Sequence, residues 1–526
     1  MSIQIKEKTL KDYLDEIVDI YENSDFFSAS EKEKENNEMP GWGDFSFAYF
    51  CKIRDRYSEI LAGLKKLQPS LTDADAALCK RSIDKLEASI LSDDVFWHID
   101  FALGGNGFFE KMYLQLNNLV FDNIKAIEGY LFLLSDTKRF FEDLLKYEHE
   151  RLENGAEVSS SLIAKSVRIC ERITDLRERN SFIQNFRKKI GNCSFITENE
   201  KLKYIQQFNE IYDKYFVTAY ENLEKGFKTI AEHPSDTKHS DFAKKRTVYE
   251  DFFKSRTGIK KNIKSVTADL EKEIIFLSRK MNVLSVQNLD ILSNIPEHII
   301  PSYESMADVK KLFSDDFPEL DSLNFSVCKT DCFGEKHSPP ATVIGDAKES
   351  KVYINSTNKS NVLSNFLVFV HEIMPGHVYQ HKLSRESVYD NVLSFMGFSE
   401  GWAKYCEQYA FKYLRCSEQD KEFIKTRYLL QECVNARIDI GINYDMWSPE
   451  QYDKFWEQFS GLYNLGYEFY KDNVCKQLIY AYSMLAFISL AERYTVANVK
   501  EKSMKSFHKK VLENKNISLE KYAMFI

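Results

Sequence analysis

The 526-residue sequence lacks long apolar runs and long basic runs, and it is poor in glycine and proline. No window approaches the roughly 18 uninterrupted apolar residues of a membrane helix. Polar residues interrupt even the most apolar stretch, Gln477–Ala491, which we interpret as a buried core helix. The N-terminal residues carry charges throughout and contain no apolar signal core, so we expect a cytoplasmic protein with no membrane partner.

Charge and cysteine spacing disfavour two further kinds of site. The net charge is −9, and acidic and basic residues are interspersed, which argues against a nucleic-acid surface. The ten cysteines include no Cys-x-x-Cys pair, and the closest two are Cys328 and Cys332. We therefore expect reduced, mostly buried thiols rather than a cysteine metal site.

The scarcity of turn-forming residues, with 19 Gly and 10 Pro, predicts long helices and short connections. Apolar residues recur at three- and four-residue spacing over most of the chain, as in Phe47–Leu67 and Glu198–Ala231. Alternating β-branched residues predict two short strands, Ala341–Asp346 and Lys351–Asn355, joined as a hairpin.

These patterns predict a mostly α fold, a large helical body with a deep cleft and a small β element. Residues 1–290 would form an N-terminal helical region and residues 291–526 a catalytic region, or both would belong to one compact body.

Two histidines and a glutamate lie within seven residues, His371-Glu372-Ile373-Met374-Pro375-Gly376-His377. A second motif, Ser399-Glu400-Gly401-Trp402, follows 22 residues after the second histidine. Two imidazoles, one carboxylate ligand and one free carboxylate are what a catalytic zinc site needs. We therefore expect one Zn²⁺ ion bound by His371, His377 and Glu400, with Glu372 as the general base. A structural metal site and a hydrogen-bonded pair without metal are the alternatives.

The spacing of the two histidines departs from the usual zinc helix, in which they are four residues apart. Six residues correspond to about 120° around an ideal helix. Pro375 removes a helical hydrogen bond, and Gly376 permits a sharp change of path. We therefore expect the helix to break or bulge at these two residues and to return His377 to the metal.

The two motifs resemble the signature of the domain-of-unknown-function family 885, a group of mostly helical proteins regarded as zinc peptidases. That signature, His-Glu-x-x-Pro-Gly-His followed by Glu-Gly-Trp-x-x-Tyr, is present in full and ends at Tyr405. The resemblance extends from about residue 339 to the end, including Phe507-His508, and is weak before residue 290. Asn443 stands where the family usually has histidine, and Asn473–Gln477 stands where it often has a Pro-Gly-Gln turn.

The resemblance implies hydrolysis of peptide bonds by a zinc-activated water, and short peptides are the expected substrates. Glu372 would accept a proton from the water and pass it to the leaving amine. The oxyanion needs a donor besides zinc. Each candidate donor has a structural role as its alternative, and the candidates are Tyr482, Tyr480, Tyr444 and Arg437.

Further residues are expected around the metal ligands. Glu407 lies two helical turns beyond Glu400 and would orient a ligand histidine. His381 lies four residues after His377 and either lines the cleft or is an ordinary surface histidine. The strand Lys351–Asn355 either pairs with an extended peptide substrate or covers the core.

Two other functions remain open. One is a zinc-dependent amide or ester hydrolase acting on a small metabolite, and the other is a non-catalytic helical binding protein that retains the metal. The sequence leaves open the exact substrate, the amino-, carboxy- or endopeptidase mode, and the oligomeric state.

Overall fold

The structure, a computed structural model, is mostly helical and describes most of the chain. The described residues are 8–24, 41–103, 112–113, 115–117, 119–232, 242–285, 296–303, 306–320, 325–330, 341–345, 350–355, 361–383, 388–459, 461–497 and 503–513.

The described part of the chain consists of helices and a few short strands. The N-terminal half contains α1 (Leu10–Ser24), α2 (Phe47–Leu67), α3 (Asp73–Ser89), α4 (Asp93–His98), α5 (Ile124–Glu153), α6 (Ser160–Thr174), α7 (Leu176–Asn192), α8 (Glu198–Ile211), α9 (Thr218–Glu232), α10 (Phe242–Thr257) and α11 (Ile263–Ser285). The remainder contains α12 (Met306–Phe313), β1 (Phe325–Thr330), β2 (Ala341–Gly345), β3 (Ser350–Asn355), α13 (Val362–Glu372), α14 (His377–Leu383), α15 (Val388–Val392), α16 (Met396–Ala410), α17 (Glu418–Asn443), α18 (Pro449–Trp456), α19 (Tyr467–Asp472), α20 (Lys476–Ala497) and α21 (Met504–Glu513).

The chain divides into two compact units. One comprises residues 1–67 and 90–248, and the other comprises residues 68–89 and 249–526. The boundary predicted near residue 290 lies inside the second unit. Both motifs, His371–His377 and Ser399–Trp402, belong to this second unit.

The first unit contains a stack of aromatic rings from α7 to α9. Helix α8 begins with a capping box, in which Thr197 and Glu200 satisfy each other's backbone N–H groups. A π-helical segment, Tyr212–Val217, joins α8 to α9. The rings of Phe186 and Phe208 stack at 4.0 Å and 8°, and Phe182 stacks on Tyr212. The apolar periodicity of Glu198–Ala231 therefore corresponds to a helical segment that packs its aromatic residues inward.

A three-stranded sheet precedes the first motif, with the strand order β1-β3-β2. Strand β3 pairs with β1 in parallel and with β2 antiparallel. Because Lys351–Ile354 are paired on both sides, β3 has no free edge for a substrate strand. The interpretation of Lys351–Asn355 as a strand that binds a peptide by edge addition is therefore wrong.

In the second unit, α16 packs closely against α20 because small residues face each other. A Cβ at Gly401 would lie 2.5 Å from Cβ of Ser483, and a Cβ at Gly397 would lie 2.7 Å from its Oγ. Such distances leave no room for a larger side chain at either glycine. Glycine at these positions lets α16, which carries the second motif, lie directly on the buried helix α20.

Asp439 of α17 fixes the start of α20. Its buried carboxylate accepts the backbone N–H groups of Cys475, Gln477 and Leu478. Gln477 and Leu478 lie in the first turn of α20, where N–H groups have no partner within the helix, and Cys475 directly precedes the helix. The side chain of Asn443 also donates to Asp439, at 2.9 Å. Asn443, at a position where the family usually has histidine, thus supports the carboxylate that fixes α20.

The C-terminal helix α21 contacts α16 through a fully buried histidine, His508. Its Nδ1 lies 2.6 Å from the carbonyl oxygen of Asp316, and its Nε2 lies 2.9 Å from the hydroxyl of Tyr405. A carbonyl oxygen only accepts, so Nδ1 carries the proton and Nε2 accepts from Tyr405. The ring also stacks on Phe317 at 4.0 Å. Tyr405, the last signature residue, and the Phe507-His508 element therefore pack together.

Burial lowers the pKa of His508 from 6.5 to about 4. Between these values the unfolded chain binds a proton that the folded chain excludes, so the stability from this residue falls as the pH falls from 6.5 to 4. The total loss should be about 3 kcal/mol. Urea unfolding would measure the free energy of unfolding at several pH values between 4 and 6.5. This free energy should change less with pH in His508→Gln than in the native chain, whereas the exposed control His298→Gln should show the native pH dependence. The same dependence of the unfolding free energy on pH in all three proteins would contradict the role given to buried His508.

Candidate metal centre

The first motif forms a sharp turn between two helices. Helix α13 ends at Glu372, and α14 begins at His377. The peptide bond between Met374 and Pro375 is cis, and the backbone N–H of Tyr379 donates to the carbonyl of Ile373 at 3.0 Å. The break expected at Pro375-Gly376 is therefore present, and it separates the two histidines onto different helices.

Gly376 is required by the close approach of two backbone segments within this turn. A Cβ at this position would lie 1.8 Å from the carbonyl oxygen of His371 and 2.4 Å from that of Val370. Real Cβ atoms do not approach backbone oxygens so closely, and the neighbouring backbone cannot move away as a flexible side chain could. Only glycine allows the chain to fold back onto the end of α13.

Trp402 of the second motif holds the turn from the other side. Its indole N–H donates to the carbonyl oxygen of Pro375 at 2.8 Å, and both Trp402 and the hydrogen bond are buried. The thiol of Cys406, one helical turn further along α16, lies 3.6 Å from the same oxygen. The two motifs are thus joined by a direct hydrogen bond, which explains why a tryptophan accompanies the glutamate ligand.

The predicted ligand residues converge on one point. His371, His377 and Glu400 each offer one ligand atom, and these atoms lie within 4.8 Å of one another. Oε2 of Glu400 lies 3.4 Å from Nε2 of His371 and 3.6 Å from Nε2 of His377. Ligand atoms on a tetrahedral zinc ion with bonds of about 2.0–2.1 Å are separated by about 3.3 Å. The two distances to Glu400 are close to this separation.

The buried oxygen of Glu400 supports the same assignment. Oε2 is almost inaccessible to solvent and, within the described residues, accepts no hydrogen bond of good geometry, although the two imidazoles lie 3.4 and 3.6 Å away. A buried carboxylate oxygen without a partner is costly, and a cation would satisfy it. The donor set of two imidazoles and one carboxylate is also the one found in catalytic zinc sites.

Each histidine is oriented through the ring nitrogen that faces away from Glu400. Nδ1 of His371 donates to Oε1 of Glu407 at 2.6 Å. Nδ1 of His377 lies 3.3 Å from Oγ of Ser399, which in turn donates to Gln380 at 3.2 Å. These bonds leave both Nε2 atoms directed towards the metal position. His371 thus has a charged partner, Glu407, and His377 has a neutral partner, Ser399.

The ionisation of these groups reflects their close spacing. Burial lowers the pKa of His371, but the carboxylates of Glu400 and Glu407 outweigh this effect and raise it to about 10. Burial raises the pKa of Glu400, but the adjacent imidazoles hold it well below its usual value. Since zinc binds neutral imidazole, the metal would replace the proton that His371 otherwise holds.

Three further predicted residues lie near the candidate ligands. Glu372 is partly exposed, and its carboxylate has no hydrogen bond or ion pair within the described part of the chain. Burial raises the pKa of Tyr480, and the nearby carboxylates of Glu400 and Glu372 raise it further above its usual value. Tyr480 therefore stays protonated and can donate a hydrogen bond. The ring of His381 lies 6.4 Å from that of His377, centre to centre.

The other predicted donors make their hydrogen bonds elsewhere in the second unit. Tyr482 donates to Asp269 at 2.8 Å, and Tyr444 donates to Glu250 at 2.7 Å. Side chains two positions apart on a helix point about 200° away from each other. Tyr482 therefore points away from the side of α20 that carries Tyr480.

Arg437 is likewise engaged in other contacts. It forms ion pairs with Glu271 and Asp445 at 2.9 and 3.0 Å, and its guanidinium lies over Trp447. Its contacts within the described residues do not include the ligand cluster.

Several residues that shape the site were not assigned a role from the sequence. Ser399 directly precedes Glu400 in the motif, and this position could have indicated a contact with a candidate ligand. Gln380 lies on the same helix as His377. Tyr428 and Glu432 lie on α17, and only the tertiary structure brings them to Glu407 and Lys404.

The family model described as "Bacterial protein of unknown function (DUF885)" matches residues 38–520. The chain therefore belongs to this family. No match was found among curated proteins.

Two solved structures share the fold. A protein called a "putative lipoprotein" from Colwellia psychrerythraea has a TM-score of 0.75 at 15% identity, covering 98% of both chains. A "putative lipoprotein of unknown function" from Shewanella oneidensis has a TM-score of 0.58 at 14% identity, covering 98% of this chain and 99% of that one. Such low identity shows similarity of fold only. None of the described helices combines the length and hydropathy needed to cross a membrane.

The turn at Gly376 generates a direct prediction. In Gly376→Ala the added methyl group must displace the carbonyl of His371, which should separate the two histidines. We expect the free energy of unfolding to fall by about 1–3 kcal/mol, and zinc affinity to fall by about 10- to 100-fold. Thermal unfolding and chelator competition would measure these effects.

Gly191→Ala is the matched control, because a Cβ at Gly191 meets no atom within 4 Å. This exposed position in α7 should tolerate alanine without loss of metal. Zinc affinity that is identical in Gly376→Ala and the native chain would contradict the role assigned to the turn.

Proposed function

We propose that the protein is a zinc-dependent metallopeptidase that hydrolyses short peptides. The observation that carries the proposal is the convergence of His371, His377 and Glu400 beside Glu372, whose carboxylate has no hydrogen bond or ion pair among the described residues. Structural zinc sites usually have four protein ligands, whereas catalytic sites have three and keep one position for water or substrate. The ligand set of this chain corresponds to the second kind.

The roles that we propose for zinc and Glu372 follow from the surroundings of each. When bound, zinc would polarise the scissile carbonyl and lower the pKa of a water molecule towards about 7. Glu372 would accept the proton of the attacking water and then deliver it to the leaving amine. Because no described residue forms a hydrogen bond or ion pair with this carboxylate, it can both accept and deliver the proton.

Tyr480 is the best supported donor for the developing oxyanion. It lies close enough to Glu400 and Glu372 for both carboxylates to raise its pKa, so its hydroxyl keeps its proton. A protonated phenol beside the ligands can donate to an oxygen that gains negative charge. Among the four candidate donors, Tyr480 is the one with evidence of proximity to the ligand cluster.

The substrate class and the location follow from the sequence and the family resemblance. The resemblance favours peptides over the amides or esters of small metabolites, which would require the same catalytic groups. We also propose a cytoplasmic location. The words "putative lipoprotein" belong to two proteins of 15% and 14% identity, which share the fold.

Glu372→Gln tests the proposed base. Glutamine has the size of glutamate but cannot accept the proton, so hydrolysis should fall by roughly 10²- to 10⁴-fold while one zinc ion per chain remains bound. Digestion of a peptide library, read by mass spectrometry, would measure activity, and elemental analysis would measure zinc. Glu418→Gln, at an exposed position, is the control.

The same digest distinguishes the candidate functions. Internal cuts or trimmed ends in the native protein would define the mode of peptide cleavage. Cleavage of small amides or esters, but not of peptides, would favour the metabolite hydrolase. Native levels of peptide cleavage in zinc-loaded Glu372→Gln would contradict the proposed base.

The variants Tyr480→Phe and Tyr482→Phe test which of these two tyrosines of α20 donates a hydrogen bond to the oxyanion. Removal of an oxyanion donor should lower kcat by about 10²- to 10³-fold with little change in KM. We expect this result for Tyr480→Phe, whereas Tyr482→Phe should chiefly affect stability through the lost bond to Asp269. Steady-state kinetics on a cleaved library peptide would measure the difference. A kcat loss confined to Tyr482→Phe would reverse the assignment.

A further inference from the structure

A buried ionic cluster lies behind the ligand His371, on the side away from the metal position. Oε1 of Glu407 accepts from His371 at 2.6 Å. Its other oxygen, Oε2, accepts from the hydroxyl of Tyr428 at 2.8 Å and from Nζ of Lys404 at 3.4 Å. Both oxygens of this carboxylate are therefore held, one by the ligand and the other by two residues that do not touch the metal position.

Lys404 uses all three ammonium hydrogens within this cluster. Besides Glu407, its Nζ contacts Oε1 of Glu432 at 3.2 Å and the hydroxyl of Tyr428 at 3.3 Å. Its side chain is only 16% exposed, and those of Glu407 and Glu432 are 9% and 11% exposed. A buried cation needs such partners, and without it two buried carboxylates would lack a counter-charge.

Helical spacing places this cluster in line with the metal ligand on α16. Glu400, Lys404 and Glu407 are separated by four and then three residues, so they share one face of the helix. Tyr428 and Glu432 are four residues apart on α17 and face this side. One face of α16 therefore carries a ligand, a cation and the carboxylate that orients a second ligand.

We propose that Lys404 and Tyr428 are positioning residues that hold Glu407 and thereby orient His371 for the metal. With Oε2 fixed by these two donors, Oε1 can face only the ligand ring, and Nε2 of His371 faces Glu400. A carboxylate held at one oxygen alone could rotate and release the ring. This inference rests on the proposed function, since it assumes a metal ion at His371, His377 and Glu400.

A merely structural ion pair is the competing explanation, and a comparison of variants separates the two. Zinc dissociation constants would be measured on the full-length chain by competition with a chromophoric chelator, together with the melting temperature. Loss of an outer partner of a metal ligand typically weakens metal binding by about 10- to 100-fold. We expect this loss in Lys404→Met and a smaller loss in Tyr428→Phe.

Lys412→Met is the matched control. Lys412 also forms an ion pair in the second unit, with Asp316 at 2.5 Å, but that pair does not contact the ligands. Because the Lys412 side chain is 56% exposed, this variant should change the melting temperature only slightly and leave zinc affinity unchanged.

A double-mutant cycle with Glu407→Gln tests whether Lys404 acts through Glu407. If it does, adding Lys404→Met to Glu407→Gln should change zinc affinity by no more than about twofold. Independent, multiplicative losses would overturn the inference, as would native zinc affinity in Lys404→Met.

If Lys404→Met fails to fold, Tyr428→Phe decides, because this change removes one hydroxyl and keeps every charge. Native zinc affinity in Tyr428→Phe would then overturn the inference. A native chain that binds no zinc would instead overturn the proposed function itself, and the inference with it.

Discussion

The contact between Gly376 and the carbonyl of His371 is the constraint on which the rest of the site depends. Histidines six residues apart would point about 120° away from each other on a continuous helix. Ending α13 at Glu372 and starting α14 at His377 removes that restriction. The chain can make this turn only where a residue without a side chain meets the backbone of α13. The ring centres of the two histidines consequently lie 4.8 Å apart.

Helix α16 supplies most of what surrounds this turn. Glu400 is the candidate carboxylate ligand, Trp402 donates to the carbonyl of Pro375, and Glu407 accepts from His371. Tyr405 connects the same helix to the buried His508 of α21. Because one helix carries all these groups, the geometry of the candidate metal centre is coupled to the packing of the second unit. The close fit of Gly401 on Ser483 sets the position of that element against α20.

The sequence was informative where the chemistry depends on neighbouring residues. The approach of His371, His377 and Glu400, the break between the histidines and the contact of Glu407 with His371 were all predicted from spacings within short segments. Phe47–Leu67 is a helix with the predicted bounds, because its amphipathic pattern is local. The mostly helical fold is confirmed for the same reason.

The remaining features depend on contacts between distant segments. Tyr480 and Tyr482 lie on the same helix, and only the packing of α20 decides which one faces the ligands. The two-sided pairing of β3 depends on β1, which the strand pattern did not predict. Likewise, the contact between Lys404 and Glu432 joins α16 to α17, and no local pattern indicates it.

Anomalous diffraction at the zinc absorption edge, on crystals of the protein prepared with zinc, tests the central claim most directly. We predict one anomalous peak per chain, about 2.0–2.2 Å from Nε2 of His371, Nε2 of His377 and a carboxylate oxygen of Glu400. A peak at any other set of residues, or no peak at these three in zinc-saturated crystals, would contradict it.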